Sequence, residues 1–188
     1  MLQRHPLAEV SARTRRFLLI ATVALTVVMG WIGAPLENET APLGIVSFEL
    51  APDLITSQQI VGSWSIAEQH RAAFLNGLDF LFLLLYSTTM ALFCLEITRS
   101  CGAAHPFLRR LGFLLAWGQW GAALFDILEN IALVWMLVAI PWQVLPPIAR
   151  FCAIVKFLLI ALGFGYLLFG FVLVRRGRNL LLEGSSTP

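Results

Sequence analysis

The stretch that decides the fold runs from Ala116 to Leu137, AWGQWGAALFDILENIALVWML. It is apolar enough to lie in a bilayer, yet Asp126, Glu129 and Asn130 sit in its interior. At about 100° per residue, Gln119, Ala122, Asp126, Glu129, Asn130 and Leu133 share one helical face. A carboxylate that faces lipid costs about 2.5–3.5 kcal/mol on the insertion scale. The rest of the chain must therefore supply helices that enclose this stripe, and the fold class expected is an all-α, integral membrane four-helix bundle.

Composition agrees. Of 188 residues, 59% are hydrophobic and 13% charged, whereas soluble domains carry about 25% charge. That suits a single membrane domain with no room for a second. A formal net charge of +2 is too small to argue for nucleic acid, and the basic residues lie beside apolar runs, where they report orientation. Cys94, Cys101 and Cys152 show no CxxC spacing, so neither a disulfide framework nor a zinc site follows. Cys101, in a predicted cytoplasmic loop, is open to acylation, although an idle thiol is the simpler reading. No Gly-rich phosphate loop, nucleophile elbow or HExxH motif occurs, and the paired Glu-x-x-His motifs of di-iron bundles are missing. No metal and no cofactor is expected.

Working outward, spans are expected at about 17–34, 70–97, 107–138 and 147–174. The first follows a polar front with Arg4, Arg13, Arg15 and Arg16. It is long for the core of a signal peptide, and Pro35 spoils the candidate cleavage site at Ile32-Gly33-Ala34, so an uncleaved anchor is expected. Residues 35–65 form a cap segment punctuated by Pro35, Pro42, Gly44 and Pro52 and carrying Glu37, Glu39, Glu49 and Asp53. Within it Gly44–Leu50, GIVSFEL, is rich in β-formers and is either extended or laid across the mouth of the bundle. Asp53 suits an N-cap for a brief helix over Leu54–Val61. Asn38-Glu39-Thr40 is a glycosylation sequon in form only. Ser65-Ile66-Ala67-Glu68 has the form of a capping box that starts the second span. Pro106 suits the first position of the third. In the fourth, Ala149, Ala153, Gly163 and Gly170 make a small-residue face shared with Lys156, which allows close helix approach. Residues 179–188 read as a loose tail.

Lys and Arg in the short loops set the orientation. The N-terminus, the second loop and the C-terminus hold Arg4, Arg13, Arg15, Arg16, Arg99, Arg109, Arg110, Arg175, Arg176 and Arg178; the opposite side holds Arg71 and Arg150. Both termini are thus expected in the cytoplasm, in a plasma membrane or a bacterial inner membrane, which requires an even number of spans. Trp31, Trp64, Trp135 and Trp142 fall near the expected outer interface, as an aromatic belt would.

With that topology, Asp79, Asp126, Glu129 and Lys156 lie at similar depth in the outer half of the bundle, at 1.5 Å rise per residue. A random scatter would not align on helices of alternating direction. Three acids then face one base, an imbalance that calls for a protonated carboxyl, a bound cation or a reach from Arg71 or Arg150. Asp79, Asp126, Glu129 and Lys156 are therefore the expected ligand- or proton-binding residues. Asn76, Asn130, Gln119 and Tyr86 are expected to support them, with Glu68, Arg71 and Arg150 at the mouth. The i, i+2 spacing of Glu68 and His70 points them apart on a helix, against a metal pair. Toward the cytoplasm the line gives way to Met90, Phe93, Leu167 and Phe171, which argues against a simple channel.

Three functions fit. A pocket that binds a proton, a cation or a small amphiphile, for binding or transport, accounts for the excess acid. A membrane-embedded acid/base enzyme on a lipid-like substrate needs room beside Asp126 and Glu129. An assembly subunit would use the charges, with Lys156 bridging Asp126 and Asp79, only to lock the helices. The partners expected are the lipid bilayer and a small-molecule or lipid ligand, with no nucleic acid; a homo-oligomer is compatible with all three.

Overall fold

The computed structural model describes residues 5–100 and 105–184, with side chains as far as residue 173. Arg4, Cys101 and 185–188 of the expected tail lie outside the described residues, as do the side chains of Arg175, Arg176 and Arg178. Among the described residues there are six α-helices, α1 (Ala12–Gly33), α2 (Ile45–Glu49), α3 (Leu54–Ser63), α4 (Ile66–Ser100), α5 (Pro106–Val138) and α6 (Leu145–Gly184), with short 3-10 turns at Pro6–Glu9 and Ala34–Leu36 and no strand. Of these, α1, α4, α5 and α6 are long and apolar enough to cross a membrane, and the chain is an integral multi-pass membrane protein.

The helix ends follow local chemistry. Ser11 Oγ accepts from the Thr14 N–H at 3.1 Å and starts α1 five residues ahead of the expected apolar boundary, so that Arg13, Arg15 and Arg16 are helical. Asp53 Oδ1 accepts from the Thr56 N–H at 2.8 Å and caps α3; those hydrogen bonds hold the Asp53 carboxyl below its ordinary value. The capping box forms as read: Glu68 Oε2 accepts from the Ser65 N–H at 2.7 Å, and Ser65 Oγ accepts from the Glu68 N–H at 3.4 Å. Pro106 opens α5, and Pro146 and Pro147 fall in the first turn of α6, where a missing N–H costs nothing. Helix α6 continues past the membrane-spanning stretch to Gly184.

Helices α4, α5 and α6 pack against one another, while α1 packs along α4. No residue of α1 is buried, so it is a peripheral stave on a three-helix core. Thr22 and Thr89 hydroxyls meet across the α1–α4 seam at 2.9 Å. Outward side chains such as Phe17, Leu81, Leu124 and Phe169 are exposed, as a lipid-facing surface requires.

Between α1 and α4 the cap folds over one end of the core. The GIVSFEL stretch is a short helix and not a strand. Its β-forming composition is overridden because Gly44, at φ 57°, turns the chain and the Ser47 hydroxyl accepts from the Leu43 N–H at 2.9 Å. Helix α2 then lies against α5 and α6. Trp64 differs from the interfacial belt read in the sequence. Its indole N–H donates to the Leu36 carbonyl at 2.9 Å and its ring meets Phe48 edge-on, which buries it in the cap core with Leu36, Ala51 and Ile60. Trp31, Trp135 and Trp142 stay exposed.

Candidate functional site

The stripe on α5 points inward as a unit: Gln119, Ala122, Asp126, Glu129, Asn130 and Leu133 are all buried. Helix α6 delivers Lys156 to it. The ammonium Nζ donates to Asp126 Oδ1 at 3.0 Å and to Glu129 Oε1 at 2.9 Å, and lies 3.5 Å from Glu49 Oε2 of the cap. Lys156 is 5% exposed, Asp126 2% and Glu129 0%. Three carboxylates on one buried ammonium gain strong Coulomb attraction that offsets a large desolvation cost.

Helix α4 closes the other side. The Tyr86 hydroxyl donates to Asp126 Oδ2 at 3.0 Å. Asp79 joins through an intermediary: Asn130 Nδ2 donates to Asp79 Oδ2 at 2.6 Å and approaches Asp126 Oδ1 at 3.5 Å. Lys156 therefore bridges Asp126 to Glu129 and Glu49, not to Asp79 as the locking scheme had it. The pairing of Asp126 and Asn130 needs only i, i+4 spacing on one helix.

Other residues singled out from the sequence fall elsewhere. Gln119 donates to the Leu159 carbonyl at 2.9 Å, a helix–helix contact further from the cap. Glu68 is engaged with Ser65, and Arg71 and Arg150 are exposed; none of these three lines the cleft described below. Asn76 is buried but its Nδ2 has no hydrogen-bond partner.

Glu49 is the residue that sequence reading missed. Its signal was present, as a single acid within the apolar GIVSFEL stretch, but only the α2 helix turns it toward the core. Burial pushes its carboxyl above the ordinary range; the Lys156 ammonium pulls the other way by less. Glu129 Oε2 is buried without a hydrogen-bond partner, unusual for a carboxylate oxygen, while Glu49 Oε2 is held by the 3.5 Å ion pair with Lys156.

Beside this centre, a cleft of about 310 Å³ lies among α1, the cap, α4 and α5. Thr26, Glu37, Glu49, Asn76, Asp79 and Asn130 are its polar lining; Met29, Gly30 and Leu75 are among its apolar lining. Among the described residues, no group of three or more His, Cys, Asp and Glu side chains is arranged to hold a metal ion. Comparison with known proteins gives no match to a family model, a curated protein or a solved structure.

Proposed function

We propose that the buried acid-rich centre binds a proton or a small cation, and that the protein serves a binding or transport role at the end of the bundle covered by the cap. One observation carries the reading. Three carboxyls, on Asp126, Glu129 and Glu49, surround a single ammonium, and a fourth, on Asp79, joins them through Asn130. If all were ionised the centre would hold a net charge of −3, which a weakly polar interior does not sustain without a compensating positive charge. Packing alone needs one acid for one base; the surplus, and the Glu129 Oε2 left without a hydrogen-bond partner, favour exchangeable positive charge. Orientation with both termini in the cytoplasm, from the Lys and Arg count, would put this centre toward the outside.

A lipid-directed acid/base enzyme is less supported, because Asp126 and Glu129 are closed off and leave no space for substrate beside both. The test is proton exchange by purified protein in weakly buffered nanodiscs, together with saturable effects of Na⁺ or K⁺ on thermal stability. Asp79→Asn and Glu49→Gln are each expected to reduce the proton uptake measured on acidification. Wild-type protein that takes up no more protons than these variants, and responds to neither cation, would overturn the reading.

A further inference from the structure

The cap meets the core through a pair of acids. Glu49, on the five-residue helix α2, and Glu129, on α5, both reach the Lys156 ammonium, at 3.5 and 2.9 Å. Their carboxyls also lie within hydrogen-bonding reach of each other. Two ionised carboxylates are acceptors only, so that contact repels unless one of the two carries a proton. Lys156 does not remove the repulsion, because it also neutralises Asp126 at 3.0 Å. Glu129 is fully buried and its Oε2 has no hydrogen-bond partner, so its surroundings are short of a donor. Burial raises the Glu49 carboxyl above its ordinary value, the direction that retains a proton. No other positive charge is at hand. Against α2, α5 presents Asp126 and Glu129, α6 presents Lys156, and α3 carries no titratable side chain. Across the cleft stand Asp79 of α4 and Glu37 of the cap, and no Lys, Arg or His lines it.

We infer that Glu49 and Glu129 share one exchangeable proton, and that this proton clasps α2 over the cleft: with it the cap is closed, and without it α2 loosens and opens the way to Asp79. Helix α2 is the partner that can yield. Glu129 stands on α5, which packs against both α4 and α6, whereas α2 is a short helix that follows the turn at Gly44. Leu43, Gly44, Ile45 and Glu49 form the cap side of the cleft that Asp79 lines from α4. A proton held more tightly in the closed form than in the open one favours closure by linkage. Acid therefore closes α2, and rising pH, which leaves two charges in contact, releases it. The inference rests on the proposed proton-binding role and gives that proton a place and an effect.

Amide hydrogen exchange across α2 reads the clasp directly. It is followed in full-length protein in nanodiscs at a series of pH values, corrected for the intrinsic pH dependence of exchange, with α3 as the internal control. In wild type the protection of Ile45–Glu49 is expected to fall by about tenfold or more as pH rises, while that of α3 stays level. Glu49→Gln keeps a donor toward Glu129 at every pH, so its α2 is expected to stay protected throughout. Glu129→Gln supplies the donor from the other side and is expected to abolish the pH dependence in the same way. Glu49→Ala, with neither donor nor charge, is expected to leave α2 weakly protected at all pH values. Protection of α2 that does not change with pH in wild type, that falls together with α3, or that falls equally in both Gln variants would overturn the clasp. If Asp79-dependent proton uptake persists in that case, the proton-binding reading stands without it. If wild type shows no Asp79- or Glu49-dependent uptake and no cation response, both fall.

Discussion

The Glu49 carboxylate lies 3.5 Å from the Lys156 ammonium, which ties a five-residue helix of the cap to a spanning helix. The same ammonium holds two acids of α5. One side chain thus couples the position of the cap to the packing of the core. The most direct consequences concern what happens when either end of that contact is changed.

Lys156→Met leaves three carboxyls around an apolar side chain. The loss of a buried partner costs about 3–5 kcal/mol, and the variant is expected to lose most of its resistance to thermal unfolding in detergent. Adding Asp126→Asn removes one of the stranded acids. The double variant should recover part of the loss, with a coupling of about 0.5–3 kcal/mol in a double-mutant cycle. Strictly additive losses would show that Asp126 and Lys156 act independently.

Glu49 gives the stability a pH dependence with a definite sign. Its carboxyl is raised above an ordinary value of 4.5, first by burial, so the folded protein holds this proton more tightly than the unfolded chain does. The stabilisation is complete below 4.5 and is lost as pH rises through the shifted value. Glu49→Gln, a mimic of the protonated side chain, should flatten that decline. Melting temperature against pH for the two proteins measures it; parallel curves would remove Glu49 as the source.

Two glycines should behave in opposite ways. A Cβ at Gly112 runs into Thr98 Oγ1 and the Tyr166 hydroxyl, where α4, α5 and α6 come together away from the cap. Gly112→Ala is expected to cost about 1–3 kcal/mol through forced repacking. At Gly77, on an exposed face of α4, nothing lies within 4 Å. Gly77→Ala should be neutral or gain up to about 1 kcal/mol from helix propensity. Unfolding midpoints of the two variants under one condition give the comparison.

Much of this structure could be read from the residues. The stripe on α5 was legible because helical periodicity and the cost of charge in lipid act locally: Asp126, Glu129 and Asn130 had to face inward wherever their partners were. Lys156 could be matched to them by depth along a straight helix. The partners that arrive through irregular chain were not legible. Glu49 and Trp64 depend on how the cap folds back, and that is set by the turn at Gly44 and by tertiary contacts with Phe48 and Leu36. The route from Asp79 through Asn130 was equally hidden, since depth alone does not tell which of two neighbouring acids an ammonium will choose.

The position of Lys156 on the last helix also bears on how the chain is made. The ribosome releases α5 before α6, so Asp126 and Glu129 leave its exit tunnel before their cation does. At about 2.5–3.5 kcal/mol for each charge placed in hydrocarbon, α5 is a poor solitary insert. Only the short connection over 139–144 separates it from α6. The two helices are therefore built to enter the bilayer together as a hairpin, with the late lysine completing the neutralisation that its predecessor lacks.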